Sequence, residues 1–275
     1  MTAIITIIDN PLLIGKGLPP FDAIAPEHVV PAVTQVLAVL ETELATLEAS
    51  IQPTWSELVE PLQQLGERLN WTWSIVGHLM GVKNSPELRS AHEIVQPQVV
   101  QFWSKLNQSQ LLYQAFKALR SSESWDSLES AQQRIVEASL RDAELSGVGL
   151  EGEKKERFNA IQLELAEITT QFSNHVLDAT KAFSLTLTNQ DEIDGLPPSL
   201  LSLAAQAARS AGEANAEAQN GPWRITLDFP SYGPFMQHST RRDLREKLYK
   251  ALISRASSGE LNNWPLTDRI LALRQ

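Results

Sequence analysis

Apolar residues in this chain recur in steps of three and four between stretches of Pro and Gly, and the longest such run is Phe158, Ile161, Leu165, Ile168, Phe172 and Val176. Those steps keep side chains on one stripe of a 3.6-residue helix, whereas alternation by two would place them on one face of a sheet. A chain dominated by such stripes must bury them against other helices. The expected fold is therefore mainly α, a multi-helix lobe.

Val33, Leu37, Leu40, Leu44, Leu47 and Ile51 predict a helix opened by Pro31. Thr54-Trp55-Ser56-Glu57 reads as a capping box, in which the Thr and Glu side chains each satisfy a free amide. It opens a helix through Leu58, Leu62, Leu65 and Leu69 that Pro61 should bend. Ser85-Pro86 starts a helix carrying Leu88, Ala91, Val95, Val99, Phe102 and Leu106, with His92 beside that stripe as a boundary residue holding a backbone carbonyl. Further helices are expected over 111–119 and 128–145, the second closed by Gly147. Residues 183–188 and 223–229 switch to alternation by two and predict one small β-strand pair. Between them Pro197-Pro198 opens a short helix, and 212–221 reads as a surface loop. Thr240 and Asp243 should cap a helix bearing Leu244, Leu248 and Leu252, with Arg241, Arg242, Arg245 and Lys247 on a solvated basic face. Residues 1–25 form an irregular amino-terminal arm and 26–275 the helical lobe. The last helix, opened by Pro265, meets no stop signal before Gln275, which predicts a chain truncated before a further domain.

The formal net charge of -10 disfavours nucleic acid and anionic membranes as partners. Without cysteine the chain has no disulfide, thiolate metal knuckle or Cys nucleophile, in keeping with a cytoplasmic location. The apolar run Ala3–Ile8 follows no basic segment and is too short for a signal peptide or a membrane span.

Two motifs come close to known chemistry. Ala91-His92-Glu93-Ile94-Val95-Gln96-Pro97 opens like the H-E-x-x-H helix of zinc proteases, but Gln96 stands where the second imidazole belongs, and Pro97 disfavours α conformation at Gln96. None of His28, His78, His92, His175 and His238 has a second His four residues on with a Glu beside it. Gly147-Val148-Gly149-Leu150-Glu151-Gly152 spells a dinucleotide fingerprint, yet it follows a charged helix instead of a strand, and Glu151 and Glu153 would repel a pyrophosphate. We read it as an interhelix turn. No residue qualifies as catalytic, cofactor-binding or metal-binding.

Five collinear stretches resemble the amino-terminal half of the oligopeptidase A family, within the thimet-oligopeptidase group of zinc metallopeptidases. They are LPPFDAIAPEHVVPAV (18–33), HLMGVKNSPELRSAHE (78–93), LRDAELSGVGLEGEKKERF (140–158), QFSNHVLDAT (171–180) and LDFPSYGPFMQHSTRRDLREKLYKA (227–251). The resemblance implies a two-lobed, channel-forming enzyme that cuts short peptides with one zinc, held by residues of its carboxy-terminal half. This chain would then be the non-catalytic amino-terminal portion, forming one wall of the channel, with short peptides and the carboxy-terminal catalytic domain as its partners and no zinc bound by the chain itself.

Two other functions remain to be weighed against that one. A free-standing helical peptide-binding module could use the Phe158–Val176 stripe with Trp71, Trp73, Trp103 and Trp223 as an apolar groove. A hydrolase without metal has little to draw on: there is no G-x-S-x-G, the pair Asp191-Glu192 lies in a loop-like stretch, and Tyr232 and His238 merely flank a Gly-Pro turn.

Overall fold

A computed structural model of the chain describes residues 10–275, so the Ala3–Ile8 run lies outside the described residues. The fold is mainly α. The described residues hold ten α-helices and one two-stranded sheet, divided between two compact units, Met1–Glu167 and Ile168–Gln275.

In the first unit α1 (Val29–Ala49) packs on α2 (Glu60–Val82) and α3 (Pro86–Asn107), and α4 (Gln110–Arg120) packs on α5 (Ser130–Leu145). The predicted stripes supply the core, with Val33, Leu40, Leu44, Leu69, Val95 and Leu119 among its fully or almost fully enclosed members. Residues Pro26–Ala49 are long and apolar enough to cross a bilayer by length and composition, and in this fold the stripe of α1 lies in the core instead. The stretch before α1 is irregular but pinned. Asn10 accepts from the Leu12 amide and donates to the His28 carbonyl at 2.8 Å, Leu12 is fully buried, and the Thr72 hydroxyl donates to the Leu12 carbonyl.

Prolines account for several departures from expectation. The first helix begins at Val29, with Pro31 inside its first turn, where a missing amide costs nothing. Pro61 does not bend the interior of a helix. It sits in the first turn of α2, directly after a wide turn at Trp55–Val59 whose closing amide, that of Glu60, donates to the Trp55 carbonyl. A donor is already missing at Pro61, so the chain takes its irregular turn there. Only the Thr54 half of the capping box forms: its hydroxyl accepts from the Glu57 amide, while the Thr54 amide donates to Gln52. Pro97 does not displace Gln96 from helical conformation, because α3 runs unbroken from Pro86 to Asn107. Pro97 and Glu93 are both exposed, so the Glu93 carbonyl that loses its donor can turn to water.

The helix α6 (Gly152–Ala182) belongs to both units. It follows the Gly147–Gly152 turn, in which Gly147 takes the left-handed φ of +80° that a helix stop requires. Of its predicted stripe Ile168 is buried, and Phe158, Ile161, Leu165, Phe172 and Val176 are half-buried.

The second unit is built around β1 (Ser184–Leu187) and β2 (Trp223–Thr226), antiparallel with Leu185 opposite Ile225 and Leu187 opposite Trp223. Those four residues point to one buried face, on which Leu200 and Ala204 of α7 (Pro198–Ser210) and Phe235 of α8 (Phe229–His238) also lie. The second strand is shorter than predicted because Asp228 and Pro230 start α8, and the Ser231 hydroxyl takes the Thr226 amide. Gly233 and Pro234 lie inside α8, so no turn separates Tyr232 from His238. Two further helices follow, α9 (Arg242–Ile253) and α10 (Trp264–Arg274). Thr240 and Asp243 do not cap α9. The Thr240 hydroxyl donates to Asp194, and Asp243 accepts from Arg241.

Candidate functional site

His92 sits one turn into the hydrophobic stripe of α3. Its ring stacks on Trp73 of α2, with centroids 4.7 Å apart and planes at 22°, and it is 7% exposed. Its Nδ1 is buried with no hydrogen-bond partner. The expected boundary role, holding a backbone carbonyl, is thus corrected at that nitrogen: the position projects further into the core than its place beside the stripe suggests. Burial away from water disfavours the imidazolium and holds the His92 pKa below its ordinary value. Glu93 points outward, and Gln96 donates its side-chain amide to the Ala166 carbonyl of α6 at 3.0 Å. The position of the second imidazole in H-E-x-x-H is therefore given to a tie between two helices.

The other histidines are equally local. His28 Nδ1 accepts from the Ala25 amide, His78 lies against the Phe21 ring, and His175 Nδ1 shares a hydrogen bond with Asn263 Oδ1 at 2.9 Å. Asn263 is itself buried and donates to the Phe172 carbonyl, so the pair fastens the start of α10 to α6. His238 ends α8, exposed. Among the described residues no group of three or more His, Cys, Asp or Glu is placed to hold a metal ion. The donor set present does not fit zinc, which needs three or four N, O or S ligands converging on one point.

The acidic pair Asp191-Glu192 has a structural occupation. Glu192 accepts from the Thr188 and Asn189 amides at 2.8 and 2.9 Å, and these bonds hold its carboxyl below the usual carboxylate range. Asp191 and Asp243 both receive the Arg241 guanidinium, which removes Arg241 from the solvated basic face. The tryptophans expected to line a groove serve the cores of the two units. Trp223 is fully buried in the second unit with its indole N–H on the Ala218 carbonyl, while Trp71, Trp73 and Trp103 pack against the core of the first.

Among the described residues, the concave surfaces of the first unit include a groove and a cleft. The groove is shallow, with Val30, Ala91 and Ile94 along it and Glu27 and Glu87 beside them. The cleft, of about 470 Å³, lies where the carboxy-terminal ends of α1 and α3 meet the start of α6. Sequence reasoning did not single out the residues of this cleft, because they are ordinary polar positions that only the meeting of three helices brings together.

Comparison with known proteins now places the fold. Residues 33–155 match the family model described as the neurolysin/thimet oligopeptidase N-terminal domain. The organellar oligopeptidase A of Arabidopsis thaliana, named as chloroplastic/mitochondrial, is 52% identical over 269 residues, covering 98% of this chain and 34% of that protein. The probable cytosolic oligopeptidase A of the same plant is 51% identical over 269 residues, 98% of this chain and 38% of its own length. Oligopeptidase A of Salmonella typhimurium is 41% identical over 271 residues, 96% of this chain and 39% of its own. The chain thus spans little more than a third of the length of these relatives. It is oligopeptidase A-like over nearly its whole length, and residues 33–155 match the model of the neurolysin/thimet oligopeptidase N-terminal domain.

Proposed function

We propose that this chain serves as the non-catalytic amino-terminal portion of an oligopeptidase A-like zinc peptidase acting on short peptides, and that it forms one wall of the substrate channel. The observation that carries this reading is collinear similarity to proteins named oligopeptidase A over nearly the whole chain. In this division of labour the zinc and the water it activates belong to a carboxy-terminal catalytic partner. The helical lobe over 26–275 supplies shape, polar contacts and steric exclusion of folded chains. A cytoplasmic location is our reading of the cysteine-free sequence; of the two plant relatives, one is named cytosolic and the other chloroplastic/mitochondrial.

The test is hydrolysis of a quenched fluorescent octapeptide by the purified 275-residue protein, with zinc and with chelator. The expected rate equals the buffer blank in both. Adding the separately expressed carboxy-terminal part of a relative oligopeptidase A should bring chelator-sensitive cleavage above that part's own rate. Zinc-dependent turnover by the 275-residue protein alone overturns the assignment.

A further inference from the structure

The cleft between α1, α3 and α6 has unfilled hydrogen-bonding capacity with a definite polarity. Gln108 is 4% exposed, and its amide nitrogen donates twice, to the Ser146 carbonyl at 2.9 Å and to Asn159 Oδ1 at 2.7 Å. The bond to a backbone carbonyl sets which end of Gln108 is nitrogen, and Gln108 in turn sets Asn159. Two groups are left over on this locked pair, the Gln108 carbonyl oxygen and the Asn159 amide nitrogen, and both residues line the cleft. One accepts and the other donates, which is the complement of a ligand amide group.

Charge adds a second requirement. Lys105 and Lys155 line the same cleft in a protein of net charge -10. Among the described residues Lys155 takes part in no ion pair, and the Lys105 ammonium lies 3.9 Å from the Glu41 carboxylate. The one carboxylate of the lining, Glu48, already accepts the Ser109 hydroxyl at 2.5 Å. Lys155 is thus an ammonium at the cleft with no carboxylate partner among the described residues, and the carboxylate nearest to hand in the lining, Glu48, is held by Ser109. Val100 and Leu163 provide apolar wall for a side chain, and the volume lies in the range of about 300–1,000 Å³ typical of small-ligand sites.

We propose that this cleft binds the carboxy-terminal end of a short peptide, with the free carboxylate on Lys105 and Lys155 and the adjoining amide on the Gln108–Asn159 pair. The carboxylate and amide requirements come from the cleft itself. The choice of a peptide among molecules carrying both groups rests on the peptidase reading above.

Trialanine, its carboxy-terminal amide and inorganic phosphate, each titrated into the 275-residue protein and followed by amide NMR shifts, decide the matter. Trialanine should saturate, with shifts confined to the ends of α1 and α3 and the start of α6, and the amidated form should bind at least about ten-fold more weakly because the charge-assisted contacts are gone. Lys155→Gln should weaken trialanine about five-fold, the size of one partly screened ion pair. Asn159→Asp should weaken it further while Asn159→Gln retains part of it, with melting temperatures recorded for every variant. Equal binding of the free and amidated peptides, equal competition by phosphate, or no saturation overturns the proposal. None of these outcomes bears on whether the isolated chain hydrolyses peptides, so the two readings fail separately.

Discussion

The first unit buries leucine and valine stripes from long helices, and the second buries a tryptophan on the inner face of a two-stranded antiparallel sheet. In the first, burial is spread over many residues, each enclosed by neighbours from other helices. In the second, Trp223 faces Leu187 across the two-stranded sheet and shares its core with Ile225, Phe235 and the alanines of α7. A distributed core should tolerate a single deletion better than one that depends on a large ring. The difference shows how much a stripe can be trusted and how little a short strand pair says about its own support.

The largest test of that contrast is Trp223→Ala. The side chain is fully buried and its indole N–H holds the Ala218 carbonyl, so removal leaves both a large cavity and an orphaned acceptor. The expected cost is about 3–5 kcal/mol, against about 2–5 kcal/mol for Leu40→Ala in α1, which leaves no orphaned acceptor. Hydrogen exchange checks it: Trp223→Ala should speed exchange in β1, β2 and α7 while α1 and α3 keep their protection. Equal losses in both units would remove the distinction.

Gly221→Ala sharpens the same point from the backbone. Gly221 has φ +71°, and an added Cβ would lie 2.7 Å from Cε3 of the Trp223 ring. Both the left-handed conformation and the contact oppose a side chain, so a loss of roughly 1–3 kcal/mol in urea unfolding is expected. A neutral result would mean the ring can shift, and that the core of the second unit is looser than its burial suggests.

The helical unit was the more legible in the sequence because its information is periodic. The stripe through Val33, Leu37, Leu40 and Leu44 is apolar at intervals that only a helix satisfies, and every one of these residues is buried. Local signals misled where a tertiary contact outweighed them. Thr240 reads as a cap but finds Asp194, and His92 reads as a boundary residue but meets the face of Trp73. The cleft was not legible at all. Glu48, Lys105 and Asn159 are commonplace surface letters, and their convergence depends on how three helices cross, which no local spacing encodes.

Within the helical unit, His92 is where the distributed core should show a pH dependence. Its folded pKa is lowered by burial, so on acidification the unfolded chain takes up a proton near the ordinary value of about 6.5 while the folded chain does not. The unfolded state then binds more protons, and stability falls as pH drops from about 6.5 toward the folded pKa; above that window the contribution is complete. His92→Phe keeps a ring against Trp73 and removes both the titration and the unpartnered Nδ1. Unfolding free energies measured from pH 7 to pH 5 should fall more steeply for the natural protein than for the variant. Parallel curves would show that protonation of His92 is accommodated in the fold.

The smallest effect has the opposite sign and probes α2, the helix that carries Trp73, from its wet side. Gly77 lies in α2 with an exposed backbone, and a Cβ built there meets nothing within 4 Å. Unlike Gly221, it has ordinary helical geometry, so alanine would add no strain while reducing the freedom of the unfolded chain. Gly77→Ala should therefore stabilise the protein by about 0.5–1 kcal/mol in urea unfolding. The two substitutions are chemically identical, a hydrogen replaced by a methyl. If the difference between the units lies in packing and backbone conformation, they must move stability in opposite directions, and a loss at Gly77 would show that the exposed face of α2 is covered by something other than water.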